Sequence, residues 1–144
     1  MEDLQVEYVR LFDYGAQYPP YESSHRTDIE RNHSLQALSK FYRKPGVECS
    51  ASFDPDHISV ELEFMRFLAH LEGGPSESGN GRKEVCLQYE KGFMENHLSR
   101  WLPDFCRCLH EKTDVPFFSA LASLTKAFIL EDSDYINALF KDPQ

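Results

Sequence analysis

One segment limits the architecture more than any other. Over residues 54–71 the apolar side chains Ile58, Leu62, Met65, Leu68 and Ala69 recur at the spacing of a single helix face, and Phe64 and Phe67 widen that face. A helix this apolar belongs near the centre of a fold, with other helices around it. The remaining sequence supplies them. Leu4, Tyr8, Leu11 and Phe12 share one face of a helix over 3–13, which Gly15 ends. Leu35, Leu38, Phe41 and Tyr42 mark a second, with Ser34 placed to cap it and Pro45-Gly46 to stop it. Tyr89, Phe93, His97 and Trp101 line up along a helix over 84–100; Pro103 is expected to break or kink it, and a shorter helix continues through Phe105 and Leu109. Asp114 and Pro116 open the next, with Phe117, Leu121, Leu124 and Phe128 in register, and a last short helix carries Tyr135, Ile136, Leu139 and Phe140. No alternating run of strand-forming residues survives. The expectation is an all-α bundle forming a single domain over residues 1–144, with 72–83 (EGGPSESGNGRK) as a flexible internal loop.

A chain of 144 residues buries roughly 70% of its unfolded surface, so it needs no metal or disulfide to fold. Its 24 acidic residues against 15 basic ones give a net charge of −9. Such a surface repels nucleic acid and attracts basic peptides, though it is also what solubility alone would require. Cys49, Cys86, Cys106 and Cys108 lack paired C-x-x-C spacing. The opening MEDLQVEYVR is no signal peptide, and no apolar run reaches the roughly 18 residues of a membrane span. These features predict a cytoplasmic protein with reduced thiols and no stable membrane insertion.

The chemistry concentrates in FDPDHI, residues 53–58. Asp54 is placed as a helix N-cap, Pro55 as the first helical residue, Asp56 against the helix dipole, and His57 opposite Glu61 one turn on. Capping accounts for Asp54, Pro55 and Asp56. It does not account for His57, because a cation at a helix N-terminus is disfavoured. A cap, a binding patch and a catalytic or metal site therefore all remain open. In CRCLH, residues 106–110, Cys106 and His110 share a helix face while Cys108 points away, which is poor zinc chemistry. His97, set in an aromatic line, reads as a core or groove histidine. There is no G-x-S-x-G, phosphate loop or dinucleotide fingerprint. The loop YGAQYPPYESS, residues 14–24, holds three tyrosines and two consecutive prolines, so it is either pinned to a core or used to grip something.

Five stretches in order, YVRLF (8–12), YPPYES (18–23), PDHISVELEFM (55–65), FMENHLSRWLPDF (93–105) and PFFSALASLTKAFI (116–129), resemble the TorD/DmsD/NarJ family of redox-enzyme maturation chaperones over nearly the whole chain. The resemblance implies an all-helical cytoplasmic protein that is not an enzyme and carries no cofactor. It implies as partner the apo catalytic subunit of a molybdopterin-dependent oxidoreductase, often through its twin-arginine signal peptide, held until the cofactor is inserted. The family's peptide-recognition segment carries over to Pro55, Asp56 and His57, and the loop with Tyr18, Tyr21 and Glu22 flanks it. Asp56, Glu22 and Glu61 would then pair with guanidinium groups, Tyr18, Tyr21 and Trp101 would supply aromatic faces, and His57 would be a hydrogen-bonding or pH-sensitive member.

Two departures stand out. Phe53 and Asp54 precede Pro55 where the family often has a glutamate. Family chains also usually carry helices ahead of YVRLF, so this chain is either a compact member or a fragment, and missing helices would expose apolar surface that favours dimerisation; both monomer and homodimer stay open. The rival readings are a helical metal-dependent hydrolase using Asp56, His57, His97 and Cys106, and a structural helix-bundle subunit.

Overall fold

The computed structural model describes residues 2–13, 15–45, 54–73 and 80–141, and every regular element among them is helical. In chain order these are α1 (Glu2–Phe12), α2 (Glu22–His25), α3 (Arg31–Arg43), α4 (Ile58–Glu72), α5 (Asn80–Phe93), α6 (Ser99–Lys112) and α7 (Pro116–Lys141). Helices α5 and α6 are joined without a break by a π-helical turn, Met94–Leu98, and form one rod. Around this rod, α4 packs on α5, and α7 folds back along α6 to reach the π turn and α5. The short α2 bridges α3 and α6. The expected all-α bundle is what forms.

The core explains this order. Phe93, Met94, Leu98, Trp101, Leu102 and Leu109 are the buried side of the rod. Phe64 and Leu68 of α4, Leu38 and Tyr42 of α3, and Phe118, Ile129 and Ile136 of α7 close over it. Phe64 sits between Tyr42 and Phe93, with ring centroids 4.8 Å from each, in the edge-on arrangement aromatic rings favour. At the other end Phe12 of α1 meets Phe118 edge-on at 5.8 Å. There Glu7 accepts hydrogen bonds from Arg10 and from Thr113, and Arg10 also donates to the last-turn carbonyl of Lys112. The hydrogen bonds from Arg10 and Thr113 hold the Glu7 carboxyl down at about 2.

Several boundaries differ from the sequence expectation, each for a tertiary reason. α4 starts at Ile58, not at Asp54–Pro55, because His57 is the N-cap: its Nδ1 accepts the Ser59 N–H at 3.2 Å. The residues before it are held out of the helix by another loop, since the Ile58 N–H goes to the Pro20 carbonyl. α3 starts at Arg31 behind Glu30, so Ser34 lies buried inside the helix rather than capping it. Pro103 does not end the rod. The helix instead widens at the π turn, and side chains take up carbonyls there: Arg26 donates to Asn96 and Arg100 to Glu95. The two C-terminal helices are one, and its buried stripe is Phe118, Ala122, Ile129 and Ile136. Phe117, Leu121, Leu124 and Phe128, the residues placed in register from sequence, all face outward. Of the expected loop 72–83, Glu72 ends α4, Gly73 caps it, and α5 has begun by Asn80; residues 74–79 lie outside the described residues, as do Tyr14, Cys49 and Phe53.

The two stripes of α7 can be told apart by truncation. Ile129→Ala, on the buried stripe, should cost about 2–5 kcal/mol in urea denaturation, whereas Leu124→Ala on the outward stripe should change stability by no more than about 0.5 kcal/mol. A comparable loss at both positions would mean that the outward face of α7 is packed in the isolated chain.

Candidate functional site

The expected recognition residues do assemble, around a junction between two loops and the rod. The loop ahead of α2 and the segment ahead of α4 pair in a single antiparallel bridge between Tyr21 and His57. Two backbone bonds make it, Glu22 N–H to the Asp56 carbonyl at 2.9 Å and Ile58 N–H to the Pro20 carbonyl at 3.0 Å. Tyr42 adds a third tie by donating from its hydroxyl to the Pro55 carbonyl at 2.7 Å.

Asp56 is fully buried and works as a cap across the junction. α2 has only four residues, and its own N-cap, Tyr21, offers no side-chain acceptor. The Asp56 carboxylate accepts the Ser23 N–H at 3.1 Å in its place.

Glu22 reaches inward from α2, with no exposed surface, and is met by two of the protein's own hydrogen-bond donors. Arg26 donates to it at 2.7 Å, and His97 at the π turn donates through Nδ1 at 3.0 Å. Burial pushes the Glu22 carboxyl up, but the hydrogen bonds from His97 and Arg26 outweigh it and hold the group below its ordinary value. Glu61 lies beside it, accepting the Trp101 indole N–H at 3.1 Å. Burial first, and then the neighbouring Glu22 charge, push Glu61 well above the usual carboxylate range. The neutral carboxyl is thereby favoured, the form whose O–H can donate toward Glu22. His25 stacks on Trp101, at 5.5 Å and 12° between ring planes, and donates from Nε2 to the Pro19 carbonyl. Burial lowers its pKa, so it stays neutral.

Only part of this assembly faces outward. Tyr21 and His57 are half-buried, with rings edge-on at 5.1 Å. Burial lowers the His57 pKa against the pull of Asp56 and Asp54. Its Nδ1 is the acceptor for Ser59, which puts the ring proton on Nε2. Tyr18 is half-buried against the core, and Pro55 half-buried above Tyr42. Glu22, Asp56, Glu61 and Trp101 are buried and bonded within the protein, and Glu61 faces Trp101 rather than His57. His57 and Ile58 border a small cavity of about 180 Å³, walled by Phe12, Phe105 and Leu121. Thr125 borders both this cavity and a larger one of about 680 Å³ between α4 and α7.

Sequence reasoning missed Arg26 and underused His97. The first was readable as the cation four residues after Glu22, the second as the one polar member of an aromatic line. The residues of the metal-hydrolase reading do not converge: Asp56 faces Ser23, His97 faces Glu22, and burial pushes the Cys106 thiol up to about 11. Among the described residues no three potential ligands come together. Nor is any described helix long and apolar enough to cross a membrane.

The molecule is thus an all-helical binding protein in form, with a recessed apolar trough beside a rigid polar junction. Comparison with known proteins gives the family: the model described as nitrate reductase delta subunit matches residues 1–107, and the chain belongs to that TorD/NarJ-type family. Curated relatives include the selenate reductase assembly chaperone protein of Thauera selenatis, 34% identical over 134 residues that cover 88% of this chain and 68% of the relative. The chlorate reductase assembly chaperone protein of Ideonella dechloratans is 33% identical over 109 residues, 72% of this chain and 56% of the relative. The chaperone protein TorD of Vibrio vulnificus strain YJ016 is 24% identical over 140 residues, 93% of this chain and 64% of the relative. The chain therefore spans between 56% and 68% of the length of these relatives. No solved structure gives a significant match.

The raised Glu61 pKa has a signed consequence. A carboxyl whose folded pKa lies above its unfolded value adds full stability below the unfolded pKa and loses it as pH rises through the folded one. Glu61→Gln, which cannot ionise, should flatten the fall in stability seen in denaturation curves as pH rises above the ordinary carboxylate range. Asp56→Ala should cost about 1–2 kcal/mol at pH 7, as the loss of a helix cap does.

Proposed function

We propose that this chain is an assembly chaperone for a molybdopterin-dependent oxidoreductase, acting in the cytoplasm on the apo catalytic subunit and its twin-arginine segment. The observation that carries this reading is family membership together with relatives named as selenate, chlorate and perchlorate reductase assembly chaperones. The geometry supports a binding role. The polar groups of the junction are spent on rigidity, the titratable groups are not arranged for proton transfer to a substrate, and the accessible feature is an apolar trough with His57 at its mouth and Tyr21 edge-on behind His57. A rigid mouth lowers the entropic cost of ordering a bound segment. No metal or cofactor is needed for such a task.

Tyr21 and His57 are the site residues this reading leaves in direct reach of a peptide. Pro55, Asp56, Glu22, Glu61, Trp101 and Tyr18 act through them, by fixing the loop that presents them.

The test is calorimetric titration with a twin-arginine signal peptide, its Lys-Lys counterpart, and purified apo catalytic subunit of a selenate or chlorate reductase. The subunit should bind, the twin-arginine peptide should bind more tightly than its counterpart, and His57→Ala should weaken binding about 5–10-fold, the worth of one hydrogen bond and its contacts. Failure of every reductase subunit to bind would sink the chaperone reading. Binding of the subunit without the peptide would move the contact elsewhere on the client.

A further inference from the structure

The larger cavity has a charge pattern that the mouth does not. Its walls are α4 and α7, and its floor is the rod at Glu90, Met94 and Leu98. Most of it is apolar. At the end where α4 finishes, three carboxylates line it: Glu72, Glu90 and Asp132. Glu90 is only 5% exposed, and its Oε1 has no hydrogen-bond partner among the described residues. Burial, then the charges of Glu72 and Asp132, push Glu90 up to about 7. Among the described residues Lys83 pairs with this group, 3.3 Å from Glu72. A buried acceptor left unpaired is costly, and with Arg66 at the cavity wall held by Glu63, the three acids against Lys83 leave an excess of negative charge among the described residues.

The apolar surface also runs well past the cavity. Phe117, Leu121, Leu124, Phe128, Tyr135 and Leu139 lie exposed along α7, from 42% to 68%. Their spacing is that of a helix–helix seam, and Asp132 falls in the gap between Phe128 and Tyr135. At 1.5 Å per residue this seam is about 33 Å long, too extended for a small ligand. A buried polar residue in such a seam selects the partner that brings its complement.

We propose that the trough between α4 and α7 docks an apolar helical segment of a polypeptide partner bearing a lysine or arginine where it meets Glu72, Glu90 and Asp132. This rests on the chaperone reading and adds to it where the partner's positive charge goes: to the far end of the trough, where Glu90 lines a cavity, not to the junction, where Asp56 Oδ1 and Glu61 Oε1 are also unpartnered but Glu22, Asp56 and Glu61 are fully buried. A second copy of the chain is the poorer occupant. It would bring its own Asp132 and a net charge of −9 to the same place, while Lys126 of α7 faces the Cys106 side rather than the seam.

The test uses the full chain and two synthetic helical peptides of about 15 residues, the length of α4. One has leucines along one face and a single lysine near one end; the other has glutamine in place of the lysine. The lysine peptide should bind at least tenfold more tightly. That difference should vanish in Asp132→Asn with Glu90→Gln, and separately in Glu72→Gln with Asp132→Asn, while circular dichroism melts show both variants folded. Phe128→Ser should weaken both peptides. Equal binding of the two peptides would overturn the charge assignment and leave the chaperone reading standing. Binding insensitive to Phe128→Ser would overturn the location. Binding of neither peptide, or a dimer in sedimentation that Phe128→Ser dissolves, would overturn the proposal, while reductase-subunit binding would still decide the chaperone reading on its own.

Discussion

The fold depends on a buried polar knot. Glu22, reaching in from α2, is held by Arg26 and by His97, and lies against Glu61, which takes the Trp101 indole N–H. The knot joins α2, α4 and the rod. It also has a local condition: His97 and the carbonyl that anchors Arg26 both belong to the π turn. Buried ion pairs add little to net stability against an apolar alternative, but removing one partner strands a charge and costs several kcal/mol. Such a knot therefore enforces one arrangement of the loops, which is what a binding surface built on loops requires.

That requirement gives FDPDHI its meaning. The segment is neither a plain helix start nor a reactive pair. Its aspartate caps another helix, its backbone pairs with another loop, and its histidine caps its own helix while leaning on Tyr21. The polar residues are consumed in holding the mouth of the trough still. The trough itself is shaped by what the helices leave uncovered. α7 has apolar residues on more than one side, and the rod claims only the stripe of Phe118, Ala122, Ile129 and Ile136. The other side remains as exposed surface larger than scattered single residues would make.

Much of this was legible in the chain. Helical spacing from Ile58 onward, the aromatic line Tyr89–Phe93–His97–Trp101, and the absence of strand patterning lead directly to an all-α bundle. The cluster of Tyr21, Glu22, Asp56, His57, Glu61 and Trp101 was also reachable, through the family resemblance of two distant motifs. What periodicity does not reveal is which of two apolar stripes a helix buries. Phe117, Leu121, Leu124 and Phe128 are as well spaced as the stripe that packs, and only the position of α6 decides between them. Nor does residue type reveal whether a carboxylate faces solvent, a cation or another carboxylate.

The sequence by itself determined the helices, their approximate limits and the acidic balance, because those follow from local spacing and composition. The tertiary structure decided the rest. It turned Asp54–Pro55 from a helix start into a turn, because the Pro20 carbonyl takes the Ile58 N–H. It kept Pro103 inside a continuous rod by widening the helix five residues earlier. It buried Glu22 and Glu61 side by side and left Glu90 unpaired at the end of an apolar trough. In each case the outcome depends on a partner distant in sequence, and the cost or gain of burying a polar group exists only once that partner is in place.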